Sequence, residues 1–284
     1  FVVGCSYSYG EGLNYVTNYN KTGVWKNAND SIRVNERDEE YREKWRYSKL
    51  LADKFGAQEI NEASNGTSMD RSWRLITDFI FTDERAKDSL IVWQLTILDR
   101  REVYRNEPHS RYAAYPPSEE ESINIYLKYE KKWIDAHDKY YVHPTIRFVD
   151  YLKKILMLDS YCKLNDIGLS VFDGLMGIEG LYETHYDFEP DSDENSISSS
   201  EMIDTFRSKK ILTPINGRVS LGEAQEDMYK KDNKIVDGAY ACAELNDEGN
   251  FKDGHPGKDC MIAISDSIYN SINDTNFINW LIPI

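Results

Sequence analysis

Three short segments carry residue types that could do chemistry together. The first, Gly4-Cys5-Ser6-Tyr7-Ser8-Tyr9-Gly10, follows an apolar run at residues 1–3. A serine at the carboxyl end of a parallel strand stands where open α/β sheets bind their ligands, and flanking glycines permit a tight turn with exposed backbone N–H groups. Ser6 is therefore a candidate nucleophile, although by itself the segment also reads as an ordinary strand-to-loop turn. The second segment is Asp253-Gly254-His255-Pro256-Gly257. In an extended stretch residues i and i+2 project to one side, so the Asp253 carboxylate can fix the tautomer of His255. That is the base and orienter a hydroxyl nucleophile requires; taken alone, the segment also reads as a helix entry, with proline at its first position. The third, Asn61-Glu62-Ala63-Ser64-Asn65-Gly66-Thr67-Ser68, is a strand-to-helix turn. Its Gly66 N–H, at the positive end of the following helix, is a ready oxyanion donor.

The elements that must position these segments alternate short apolar β-type runs with longer helical patterns, the signature of a parallel sheet covered by helices. Strands are expected at residues 1–3, 58–63, 89–96 and 168–172. The near-continuous hydrophobicity of SLIVWQLT suits a central strand buried on both faces. Helices are expected at 45–56, from a Thr67/Ser68 cap through Met69, Trp73, Ile76 and Ile80, at 119–140, at 144–164, weakly at 202–208, and after Pro256 with Ile264, Ile268 and Ile272 at i, i+4, i+8. Residues 11–42 lack a sustained apolar period and read as a long loop next to Ser6, a natural lid or specificity wall. The acidic, serine-rich stretch 179–200 reads as a solvated loop insertion. No composition shift divides the chain, so 1–284 is expected to form one domain. An apolar run at the very first residue reads as a strand already in progress, which implies a natural N-terminus further upstream.

With 34 Lys+Arg against 49 Asp+Glu the formal net charge is −15, which argues against a general nucleic-acid backbone binder. No apolar run approaches the ~20 residues a bilayer span needs. Cysteines 5, 162, 242 and 260 show no paired spacing and read as thiols in a reducing compartment rather than as a disulfide or zinc framework. Cys5, on the strand leading into the turn, is expected to point away from Ser6 as a buried small residue. His109, His137, His143 and His185 follow no metal-ligand spacing, and Asp187, Asp191 and Asp193 lack the glycine and terminal glutamate of a calcium loop. Neither a metal nor a cofactor is called for.

In their order along the chain, the serine turn, the glycine turn, the central strand and the terminal Asp-x-His resemble the four sequence blocks of the SGNH, or GDSL-like, serine hydrolase superfamily. The resemblance spans residues 4 to 272. G-C-S-Y-S-Y-G-E-G-L and N-E-A-S-N-G-T-S-M-D-R look most like the divergent members encoded by phages and viruses. It implies a three-layer α/β/α sandwich with a central, mainly parallel sheet, SGNH-hydrolase or flavodoxin-like, carrying loop insertions. It also implies Ser6 as nucleophile, His255 as general base, Asp253 as its orienting carboxylate, and the Ser6 and Gly66 N–H groups as oxyanion hole. Three departures stand out, the first being the Asp253-x-His255 spacing, one residue tighter than the commoner Asp-x-x-His. Cys5 occupies a position where the family usually has aspartate, and Gln94-Leu95-Thr96-Ile97-Leu98-Asp99-Arg100-Arg101 lacks the Gly-x-Asn-Asp turn that supplies a third oxyanion donor. Losing such a donor typically costs ~3 kcal/mol, about two orders of magnitude in rate; Thr96 and Gln94 are the replacements on offer.

Two functions follow from the resemblance. One is an esterase or deacetylase acting on small-molecule or carbohydrate esters, O-acetyl groups included; of the twenty tyrosines and six tryptophans, Tyr7, Tyr9 and Trp93 are candidates, with Asn65, to line its cleft, core or interface being the alternative for the rings. The other is a catalytically weak or inactive structural or binding protein of the same fold, for example in a virus particle, with a virion or homo-oligomeric partner. The location stays open between cytoplasm and virion.

Overall fold

The computed structural model describes residues 1–10, 13, 39–65, 67–96, 144–174, 205, 208–209, 211–218, 221, 224 and 257–274. Among the described residues three parallel strands form the sheet: β1 (Val2–Val3), β2 (Leu90–Leu95) and β3 (Gly168–Asp173), in the order β1-β2-β3. Single parallel bridges extend it at both edges, Asn61 against Val2 and Leu212 against Val171. Numbered by their place in the chain, the three strands and two bridges among the described residues run 2-1-3-4-5, and the direction of progression reverses between β1 and β2. The expected strand at 58–63 is thus reduced to one bridge. It still runs along β1, because the Val2 N–H donates to Ile60 O at 2.8 Å and the Glu62 N–H to Val2 O at 2.9 Å.

Side chains alternate across a strand, and the core divides accordingly. Ile91, Trp93 and Leu95 of β2 join Val3 and Val171 in one apolar cluster, covered by Met69, Ile76 and Phe79 of α4 (Met69–Thr82) and by Phe148, Tyr151, Leu152 and Ile155 of α5 (Pro144–Leu164). Val2, Val92 and Phe172 belong to a second cluster, with Tyr47 and Leu51 of α3 (Tyr47–Phe55) and Met261, Ile264, Ile268 and Ile272 of α6 (Lys258–Asp274). Each cluster thus joins sheet residues to helical ones, as a strand of near-continuous apolar residues favours.

Local chemistry sets the helix ends. Ser68 caps α4 by accepting from the Arg71 N–H at 3.2 Å, and α3 stops at Gly56, whose left-handed φ of 63° lets its N–H close the last turn. The expected helix at 45–56 is two pieces. The short α2 (Glu39–Trp45) ends where Arg46 turns extended, and α3 follows. Helical backbone thus begins at Glu39, inside the stretch read as a loop to residue 42. α4 and α5 are pinned together by Asp70, which accepts from Tyr151 Oη at 2.5 Å and pairs with Arg147 at 3.0 Å. Burial and the Asp70 carboxylate push the Tyr151 phenol well above its ordinary range. The expected helix at 119–140 and the acidic insertion at 179–200 lie outside the described residues, as does most of 202–208.

Candidate functional site

A one-turn helix, α1 (Ser6–Tyr9), follows β1 directly. Cys5 enters it in extended conformation and Gly10 leaves it at φ 85°, donating to Ser6 O at 3.0 Å and Tyr7 O at 3.2 Å. A left-handed exit is the geometry glycine adopts without penalty, so the second glycine of the G-C-S-Y-S-Y-G segment ends the turn. Opposite, the Ser64 N–H donates to Gly4 O at 3.3 Å, which seats the 64–68 turn against the serine turn at the carboxyl end of β1.

The two serines of the segment have different environments. Ser8 is wholly buried and every polar group on it is engaged. Its N–H donates to Gln94 Oε1 at 3.0 Å, its hydroxyl lies 2.5 Å from the same oxygen and 2.6 Å from Tyr47 Oη, and its carbonyl accepts from Asn61 Nδ2 at 2.9 Å. Because a backbone N–H can only donate, the carboxamide atom facing it is the oxygen. The Ser8 hydroxyl hydrogen must then go to Gln94, and Tyr47 donates to Ser8. Complete burial raises the Tyr47 phenol far above its ordinary range, keeping it a donor. Ser6 is also largely covered, at 8% exposure, but no hydrogen bond from another described residue engages its hydroxyl.

Behind Ser8 the network continues outward. Asn61 Nδ2 also donates to Ser48 Oγ at 2.8 Å, Ser48 donates to Glu59, and Arg46 grips Glu59 with two bonds of 2.8 and 2.7 Å. An isolated buried carboxylate would be costly, and the two-pronged guanidinium offsets that cost. On the other side Gln94 Nε2 donates to Cys5 Sγ at 3.3 Å. Cys5 is fully buried in the second cluster, as the small-residue reading expects.

The remaining sequence-derived candidates separate. Gln94 is fully buried with both ends of its carboxamide engaged, so its amide serves the turn. Thr96 is buried directly after β2, at the same sheet edge as Ser6. Trp93 is wholly buried and tilted against Trp73 in the first cluster, a core residue where a cleft residue was expected. Alternation along β2 accounts for this: with Gln94 on the serine side, Trp93 must face the other. Tyr7 likewise packs into the second cluster at 8% exposure. Tyr9 is half-buried, with the Arg42 guanidinium 3.8 Å from its ring centroid, and Asn65 is exposed on the neighbouring turn. Gly66, Asp253 and His255 lie outside the described residues.

The chain beyond His255 is described from Gly257. Lys258 places its ammonium 3.7 Å from the Trp45 ring centroid on α2. Arg42, three residues earlier on the same helix, is the residue stacked on Tyr9, so α2 links the start of α6 to the serine turn.

Sequence reasoning missed Ser8, Tyr47, Asn61 and Gly174, all of which shape the turn. Asp173, buried at the carboxyl end of β3 beside Leu95, was missed as well. The available signal was the repetition of a buried strand ending in glycine, V-V-G and V-F-D-G. A cavity of about 300 Å³, lined in part by Leu51, Phe55, Glu59, Arg85 and Leu90, lies at the opposite, amino end of β2. Among the described residues no group of three His, Cys, Asp or Glu could hold a metal ion, and no helix is long and apolar enough to cross a membrane. Compared with known proteins, the chain matches no family model, no curated protein and no solved structure.

Proposed function

We propose that the protein is an SGNH-type serine hydrolase with a three-layer α/β/α fold that cleaves acyl esters, carbohydrate O-acetyl groups among them. The observation that carries this reading is the position of Ser6. It opens a glycine-ended turn at the carboxyl end of β1, where the 2-1-3-4-5 order reverses and open α/β sheets bind their ligands. The turn before α4 adjoins it through the Ser64–Gly4 hydrogen bond, which supports Gly66 as an oxyanion donor beside Ser6. The Lys258–Trp45 and Arg42–Tyr9 contacts support a triad. They tie a helix that starts three residues after His255 to the serine turn, a separation that extended chain spans in about 10 Å.

In this mechanism Ser6 Oγ attacks the ester carbonyl carbon and its proton passes to His255, held in tautomer by Asp253. The negative oxygen of the tetrahedral intermediate rests on the Ser6 and Gly66 N–H groups. The carbonyl–alkoxide bond then breaks as His255 returns the proton to the leaving alcohol. Water, deprotonated by the same histidine, releases the acid and restores Ser6. A second reading, a binding or structural module of low activity, draws on Gln94: its carboxamide is fully buried and turned toward Cys5 and Ser8, away from the role of the missing asparagine. The test is hydrolysis of p-nitrophenyl acetate and of an O-acetylated oligosaccharide by wild type, Ser6→Ala, Asp253→Ala and His255→Ala. Turnover that all three substitutions abolish supports the enzyme, whereas turnover indifferent to Ser6 excludes it.

A further inference from the structure

A buried carboxamide in the central strand of a sheet is an unusual expense, since a fully buried amide without partners costs several kcal/mol of desolvation. Here the carboxyl ends of all three strands are shaped around one. A Cβ on Gly4, after β1, would lie 2.8 Å from Gln94 Cβ and Oε1 and would overlap Ser8 Oγ. A Cβ on Gly174, after β3, would overlap Gln94 Nε2. The two glycines leave room for Gln94, and Gln94 fills it while making three directional contacts: Oε1 to the Ser8 N–H, Oε1 to the Ser8 hydroxyl and Nε2 to Cys5 Sγ. Cys5 and Ser8 bracket Ser6 in sequence, one immediately before it and one two residues after. A one-turn helix of four residues has too little internal hydrogen bonding to hold its own shape. Its orientation is therefore imposed from outside, and among the described residues the side chain that hydrogen-bonds on both sides of Ser6 is Gln94.

We propose that Gln94 is the positioning residue of the serine turn, fixing Cys5 and Ser8 with the two ends of its carboxamide and thereby aiming the Ser6 hydroxyl and N–H. This inference deepens the hydrolase reading and rests on it for its catalytic consequence. Its structural half stands independently. Among the described residues Asn61 and Tyr47 hydrogen-bond the same turn at Ser8 and not at Cys5.

The experiment uses the whole chain and two variants. Gln94→Leu keeps volume and removes all three contacts. Gln94→Glu keeps the acceptor, and only its protonated form can also donate to Cys5. Two measurements are made on each: the rate at which a fluorophosphonate modifies Ser6 between pH 5 and 9, and hydrogen exchange of the amides of residues 5–10. For Gln94→Leu, labelling should slow by about tenfold or more at every pH, since small misplacements of reacting groups carry penalties of that order. Exchange should rise at the Ser8 amide while α4 and α5 keep their protection. For Gln94→Glu, burial raises the carboxyl pKa, so labelling should approach the wild-type rate at low pH and fall as the group ionises. A role in stability alone would give no such rescue at constant thermal midpoint. Labelling of both variants at the wild-type rate, or an unchanged Ser8 amide in Gln94→Leu, overturns the proposal. Absence of Ser6 labelling in the wild type itself would instead sink the hydrolase reading, and the exchange measurement would then decide the positioning role alone.

Discussion

Ser6 and Ser8 are two residues apart in one turn, yet their removal should have opposite consequences. Ser8→Ala deletes the hydroxyl that donates to Gln94 Oε1 at 2.5 Å and accepts from Tyr47 Oη at 2.6 Å. The first loss amounts to about 1 kcal/mol, a typical net hydrogen bond; the second strands the fully buried Tyr47 hydroxyl, which adds about 1–2 kcal/mol. The expected destabilisation is therefore about 2–3 kcal/mol. Tyr47→Phe removes one bond but leaves Ser8 still bonded to Gln94, at about 1 kcal/mol. In the double variant nothing polar is left stranded, because the Ser8 N–H still satisfies Gln94 Oε1 at 3.0 Å. Its cost should be about 2 kcal/mol, giving a coupling of about 1–2 kcal/mol between the two hydroxyls. Ser6→Ala, whose hydroxyl no described residue engages, should shift stability by no more than about 0.5 kcal/mol. Urea denaturation reads all four variants as midpoint shifts at constant slope. Equal costs for Ser6→Ala and Ser8→Ala, or additivity of the Ser8 and Tyr47 substitutions within about 0.5 kcal/mol, would refute the assignment of Ser8 as the structural serine.

Other predictions bear on the same scaffold. Gly174→Ala forces a Cβ into Gln94 Nε2 and should destabilise by about 1–3 kcal/mol through overpacking, read as a lowered thermal midpoint; an unchanged midpoint would show that the strand end yields freely. Arg46→Met leaves the Glu59 carboxylate, whose side chain is 10% exposed, with the Ser48 hydroxyl but without its counter-charge, and should cost about 3 kcal/mol, less when combined with Glu59→Gln. Burial pushes the Cys162 thiol up to about 12, so it should resist Ellman's reagent in the native state and react on unfolding. The sign for stability follows from linkage. The raised thiol contributes fully below its unfolded pKa of about 8.5 and loses that contribution as pH climbs toward 12. The stability gap between wild type and Cys162→Ala should therefore shrink between pH 8 and 10.5 in urea titrations.

Long, strongly periodic elements were legible in the sequence because their burial pattern is written in single residues. α5 spans Pro144–Leu164 as its apolar spacing predicts, and SLIVWQLT is the central strand with buried residues on both faces. The serine turn was legible as well, since a strand, two glycines and two serines in seven residues limit the geometries available. What the sequence hides is partnership at a distance. Nothing local to Gln94 says that it faces Ser8, 86 residues away, or that Gly174 is small on its account. Trp93 and Tyr7 suggest a cleft from sequence because stacked aromatics commonly hold sugar rings. Whether such a ring faces core or cleft depends on the phase of the strand or helix that carries it, and that phase is fixed by packing. The edge at 58–63 shortened to one bridge for a similar reason: β1 has two residues to offer a neighbour.

The most direct test of the central claim is active-site labelling of the full-length protein with a fluorophosphonate, the adduct being located by peptide mass in wild type, Ser6→Ala, Ser8→Ala and His255→Ala. The expected result is a single adduct on Ser6, lost in Ser6→Ala and in His255→Ala and retained, at reduced rate, in Ser8→Ala. An adduct on Ser8 or on any other residue, or no adduct under conditions that label a control esterase, would contradict it.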